Sequence, residues 1–178
     1  MKKILYTLLS TLFVLSVVSC GSTNEVNKVE EETMERPVII GMANPFVTSD
    51  SIEESEKLAV FTLALPSEDM LPDWVTLSTY RSSVVNMKLI EVIYSEDDTY
   101  QREIRIRKGL TDKEEISGDY NSYEKEKNLT MGDLKVTTYS NADLIYLATW
   151  NNGEYKYSIS STDGFTLDVL TSFIDSIK

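Results

Sequence analysis

Apolar positions recur with a period near two through the middle of this chain and with a helical period on either side of that region. Six segments rich in Val, Ile, Thr and Tyr predict strands: Trp74–Arg81, Val84–Tyr94, Tyr100–Lys108, Met131–Tyr139, Ala142–Trp150 and Glu154–Ser160. In the last of these, Tyr155, Tyr157 and Ile159 alternate with Glu154, Lys156 and Ser158, the pattern of a strand with one buried and one wet face. In Ala142–Trp150 both alternating sets are largely apolar, which places that strand centrally. The connections Ser82-Ser83, Asn141 and Asn151-Asn152-Gly153 are too short for parallel crossovers, so these neighbours form antiparallel hairpins.

Asn44-Pro45-Phe46 reads as a turn, and Asp50-Ser51-Ile52-Glu53 has the spacing of a capping box. The helix it opens is expected from about Ser51 to Val60, with Ile52, Leu58, Ala59 and Phe61 toward the interior and Glu53, Glu54 and Lys57 outside. Pro66 stops it, and Pro66 to Pro72 is a loop. At the far end Thr166 precedes a stripe of Leu167, Leu170, Phe173, Ile174 and Ile177, a second amphipathic helix. The expected fold class is therefore α+β: a curved antiparallel meander sheet of about six strands with N-terminal and C-terminal helices packed on one face. Ile116–Asn128, carrying Tyr120 and Tyr123, interrupts the meander; it reads as a solvated excursion, with a functional loop as the alternative.

The N-terminus changes the picture of where this fold resides. Met1-Lys2-Lys3, an apolar run from Ile4 to Val18 and the small residues around Cys20 form a secretory signal. Val17-Val18-Ser19-Cys20 resembles the lipobox of bacterial lipoproteins, which implies a diacylglycerol thioether on Cys20 and cleavage before it. Residues 1–19 are thus the signal peptide, 20–36 a lipidated acidic tether containing Glu30-Glu31-Glu32, and 37–178 one domain opening near Pro37-Val38-Ile39-Ile40. The expected location is the extracytoplasmic face of the cell membrane, held there through the lipid on Cys20.

Charge and composition then narrow the chemistry. The 178 residues include 17 basic and 29 acidic side chains, no histidine and one cysteine. Loss of Lys2 and Lys3 leaves a mature chain near −14, which disfavours nucleic acid as a partner. Without histidine, and with its cysteine assigned to lipid, the chain has no Ser-His or Cys-His nucleophile pair, no His- or Cys-based zinc site and no internal disulfide. Adjacent carboxylates such as Glu53-Glu54, Asp97-Asp98 and Glu114-Glu115 define no pair across a substrate, so no catalytic residue, metal or cofactor is assigned and an enzyme is not expected.

Two sets of residues remain as binding candidates. Period two puts Arg105 and Arg107 on one face with Glu103, opposite Ile104 and Ile106, where they could contact an anion or an acidic partner or pair with carboxylates across strands. Tyr155, Tyr157 and Trp150 could line a ligand pocket on the aromatic side of the sheet, or fill its half-buried surface.

Ala59-Val60-Phe61, the two prolines of Leu65-Pro66 and Leu71-Pro72-Asp73-Trp74, the hairpin Thr149-Trp150-Asn151-Asn152-Gly153-Glu154-Tyr155-Lys156-Tyr157 and the final Ser176-Ile177 occur in a recognisable order. Over Asn44 to Ile177 this order resembles an uncharacterised extracytoplasmic domain family of Gram-positive lipoproteins and anti-sigma-factor outer domains. The resemblance implies no catalytic residues. The expected function is a non-enzymatic binding or sensory module that contacts another envelope protein, the alternative being a lipid or hydrophobic small-ligand binding protein.

Overall fold

A computed structural model describes residues 44–83, 88–110 and 115–177. The signal segment, Cys20, the acidic tether and the expected start of the domain at Pro37 lie outside the described residues.

Eight strands form one antiparallel sheet: β1 (Phe46–Ser49), β2 (Leu77–Ser83), β3 (Leu89–Ser95), β4 (Glu103–Leu110), β5 (Lys125–Met131), β6 (Leu134–Asn141), β7 (Leu144–Asn152) and β8 (Tyr155–Phe165). Helix α1 (Ile52–Ala59) follows β1, and α2 (Leu167–Ser176) follows β8. The fold is thus mainly β, and the α+β expectation of a six-strand meander layered with helices is corrected. Two strands were hidden in the sequence, and helices of eight and ten residues are too small to form a layer of their own.

The strand order is β1-β2-β3-β4-β8-β7-β6-β5, two four-stranded runs joined where β4 pairs with β8. The chain therefore passes from β4 in the middle of the sheet to β5 at its far edge. The register aligns Val92, Ile106, Ile159 and Ala148 across four strands, and these side chains are fully buried. Ala59 of α1 and Leu170, Phe173 and Ile174 of α2 join the same cluster. Each large side chain buried there contributes roughly 1.5–3 kcal/mol.

The helix ends are set by local chemistry. Ser51 caps α1, its hydroxyl accepting from the Glu54 N–H at 3.4 Å, while the Glu54 carboxylate accepts from the Asp50 N–H at 3.1 Å. The capping pair thus falls one residue later than Asp50 and Glu53 predicted, and the inward side is Ser55 and Ala59, leaving Leu58 exposed. Thr166 caps α2 through the Val169 N–H, and the buried stripe starts at Leu170, with Leu167 half exposed.

Candidate functional site

The two faces of the central strands differ in kind. Glu91 of β3 stands directly opposite Arg81 of β2 and Arg107 of β4, on the face away from the helices. Its carboxylate is fully buried, an expensive state that requires counter-charge. Arg107 supplies most of it, donating from Nε at 2.7 Å and pairing through Nη2 at 2.5 Å. Arg105 and Arg81 stand farther off, at 3.5 and 3.6 Å. The third donor of Arg107, Nη1, reaches the Ile116 carbonyl at 2.9 Å, and its guanidinium lies over the Phe46 ring of β1.

Arg105 continues the network outward, its Nη2 lying 2.7 Å from Oε1 of Glu103. Burial pushes the Glu103 carboxyl above its usual range, more than Arg105 beside it draws the value down. Several buried polar atoms here have no hydrogen-bond partner within the protein: Oε1 of Glu91, Oε2 of Glu103, and Nε of Arg81 and of Arg105. Such atoms are rare in folded proteins, where strain or an ordered water usually accounts for them.

The segment after Glu115 lies over this face. Asp119 organises it, accepting from the Asn121 N–H at 2.8 Å and from the Tyr123 hydroxyl at 2.5 Å. Burial, reinforced by that bond, pushes the Tyr123 phenol up to about 12. Tyr123 also stacks near Tyr146 of β7, with centroids 6.4 Å apart. Gly118 has a positive φ of 61°, and a Cβ there would collide with Nη1 of Arg107, so the turn closes on the guanidinium only because this residue is glycine.

Between this segment and β4, β7 and β8 lies a polar groove. Its main cavity, about 400 Å³, is lined by Glu103, Asp119, Asn121, Tyr123, Tyr146, Ser160 and Thr162 among others. A smaller hollow of about 170 Å³ shares Glu103, Asp119, Asn121 and Ser160 with it and adds Arg105. The volume falls in the range of small-molecule sites, whereas the lining is far more polar than usual. Among the described residues no group of three or more His, Cys, Asp or Glu side chains is placed to hold a metal ion.

The sequence candidates separate between the two faces. Arg105 and Arg107 share a face with Glu103 and engage carboxylates, Arg107 being buried and Arg105 reaching the groove. Trp150 and Tyr157 are buried in the helix-side core, stacked with centroids 5.3 Å apart and planes 7° apart. Tyr155 is partly exposed and packs on Phe61. The Lys108 ammonium occupies the space beside these rings, 4.3 Å from the Tyr155 centroid and 5.3 Å from that of Tyr157, and donates to the Thr62 carbonyl at 2.6 Å. None of the three aromatic residues lines the groove.

Glu91, Asp119 and Tyr146 are not among the sequence candidates for a site. A signal for Glu91 existed: one carboxylate inside the apolar run Leu89-Ile90-Glu91-Val92-Ile93 has to be matched by cations from neighbouring strands. Compared with known proteins, the chain matches no family model, no curated protein and no solved structure.

Proposed function

We propose that this chain is a lipid-anchored module on the extracytoplasmic face of the membrane that binds a polar component of the envelope without transforming it, through the groove over β4, β7 and β8. The observation that carries the reading is the polar cavity itself, about 400 Å³ and bordered by Glu103, Asp119, Asn121, Ser160 and Thr162 together with the rings of Tyr123 and Tyr146. Both groove carboxylates are already engaged, Glu103 by Arg105 and Asp119 by Tyr123 and the Asn121 N–H, an arrangement suited to holding a ligand more than to passing protons. The hydrophobic-ligand alternative draws no support from Trp150 and Tyr157, whose rings pack against each other in the core.

Two experiments test this. Cys20→Ala should abolish fatty-acid labelling and release the protein from the membrane fraction; persistent labelling would remove the anchor. For the groove, a photo-crosslinking residue at exposed Asn121 should give discrete adducts in cells, and the same residue at exposed Glu53 on α1 should not. Absence of adducts from position 121, or equal adducts from both positions, would defeat the groove reading.

A further inference from the structure

We infer that the protein has a second binding site, a cavity on the helix side of the sheet that takes a single-chain amphiphile with a monoanionic carboxylate head, the chemistry of a free fatty acid. It lies on the face opposite the polar groove and stands without that reading.

On edge strand β5, Lys125, Lys127 and Leu129 stand across from Ser140, Thr138 and Val136 of β6. Val136 belongs to the core cluster that contains Leu170 and Phe173 of α2, so these alternate residues of β5 face the helices. Between them and the start of α2 lies a cavity of about 220 Å³. Its apolar lining comes from Leu129, Ala142, Ile145 and Leu167, the last half exposed. The buried side chains of Thr138 and Ser140, the two lysines and Asp143 complete it.

Charge selects the ligand. Lys125 and Lys127 are exposed, and among the described residues neither is paired with a carboxylate; Lys125 donates to the Ala142 carbonyl at 3.0 Å and keeps two hydrogens for a ligand. Against Asp143 the two lysines leave the cavity with a net positive charge, in a chain of 29 acidic and 17 basic side chains. A monocarboxylate balances that charge. A dianionic phosphate would overshoot it and press on Asp143, and an ammonium head would meet both lysines. A polar ligand without a tail would leave the four apolar side chains against water, whereas an alkyl chain covers them. Charge of either sign guards an open sheet edge, yet the acidic residue of this stretch, Glu126, pairs with Tyr139 on the other face and only the lysines of β5 line the cavity.

The test is a titration of the mature chain carrying Cys20→Ala, so that no covalent acyl chain competes, followed by amide resonances across the whole domain. The probes, each below its micelle concentration, are dodecanoate, dodecyl phosphate, dodecyl maltoside and dodecyltrimethylammonium, with phosphatidylglycerol vesicles to separate a free amphiphile from a membrane surface. Dodecanoate is expected to give saturable shifts at Lys127, Ser140, Ile145 and Leu167. Lys127→Gln should weaken it about threefold, the scale of an exposed ion pair, and Lys127→Glu about tenfold, two such steps. Leu167→Ser should weaken it several-fold through the tail and serves if the β5 variants fail to fold.

Four results would overturn the inference: no saturable shifts with dodecanoate, shifts confined to the loop face, unchanged affinity in the folded variants, or maltoside or ammonium amphiphiles binding as tightly as dodecanoate. Tighter binding of dodecyl phosphate would overturn the monoanionic head, and shifts with vesicles alone would replace the bound amphiphile by a membrane contact. The reporting residues lie on the helix side, so failure here is distinct from an absence of adducts at position 121.

Discussion

Strand β4 sends alternate side chains into two different settings, and the contrast between them sets the two faces of the sheet apart. On the helix side Lys108 is closed in, its Nζ bonded to the Thr62 carbonyl and flanked by the rings of Phe61, Tyr155 and Tyr157. On the loop side Arg105 and Arg107 meet Glu91 and Glu103, and the network ends in polar atoms without partners. A buried cation can be settled by aromatic faces and one carbonyl. A buried carboxylate needs several donors, and the geometry of the arginines gathered around Glu91 leaves one of its oxygens and two of their own Nε atoms without hydrogen-bond partners.

The contrast can be broken most severely at Glu91. Glu91→Ala would leave three arginines crowded without their shared counter-charge, and a loss of about 3–5 kcal/mol is expected in urea unfolding. A shift below about 1 kcal/mol would mean that solvent, not Glu91, balances them. Gly118→Ala comes next, at about 1–3 kcal/mol, because the residue sits at positive φ and its new methyl displaces the Arg107 guanidinium. Proteolysis should then cut the 115–124 segment faster than the rest of the domain; uniform protection would show that the segment does not depend on that close approach.

Lys108→Met sharpens the other side of the comparison. Burial already draws the Lys108 ammonium below its usual pKa, so an apolar side chain of similar length should change stability by less than about 1.5 kcal/mol. A loss as large as that of Glu91→Ala would mean that both faces depend on charge equally.

The smallest effect is one of pH. Because the folded Glu103 carboxyl titrates above its unfolded value of about 4.3, its favourable contribution is complete below that unfolded value and is lost as pH rises through the folded one. The stability of the wild type relative to Glu103→Gln should therefore fall across that window in urea titrations at successive pH values. A difference that grows with pH would show that Arg105 outweighs burial.

What could be read from the sequence follows the same division. Strands with a buried face announced themselves: Val92, Ile106, Ile159 and Ala148 all lie in predicted segments. Strand β5, Lys-Glu-Lys-Asn-Leu-Thr-Met, did not, because an edge strand exposed along most of its length has no apolar alternation to display. Strand β1 is only four residues long and follows Asn44-Pro45, so its turn signal masked its pairing with β2. Period two correctly joined Glu103, Arg105 and Arg107 on one face. That the face would lie under residues 115–124 depends on β4 pairing with β8, a long-range register that no local pattern encodes.

That same pairing has a kinetic side. Until β8 arrives, β4 has a neighbour only in β3, and its other edge presents an unpaired backbone ladder along a strand carrying Ile104 and Ile106. Joining it to β8 requires closure of a loop that contains β5, β6 and β7, so the central seam belongs to the slow, non-local events of folding. While a chain emerges in N-to-C order, the β1–β4 half can assemble early but carries an open, adhesive edge until its last strand is delivered. The late-arriving strand is thus the one that shields the nascent protein from its own neighbours.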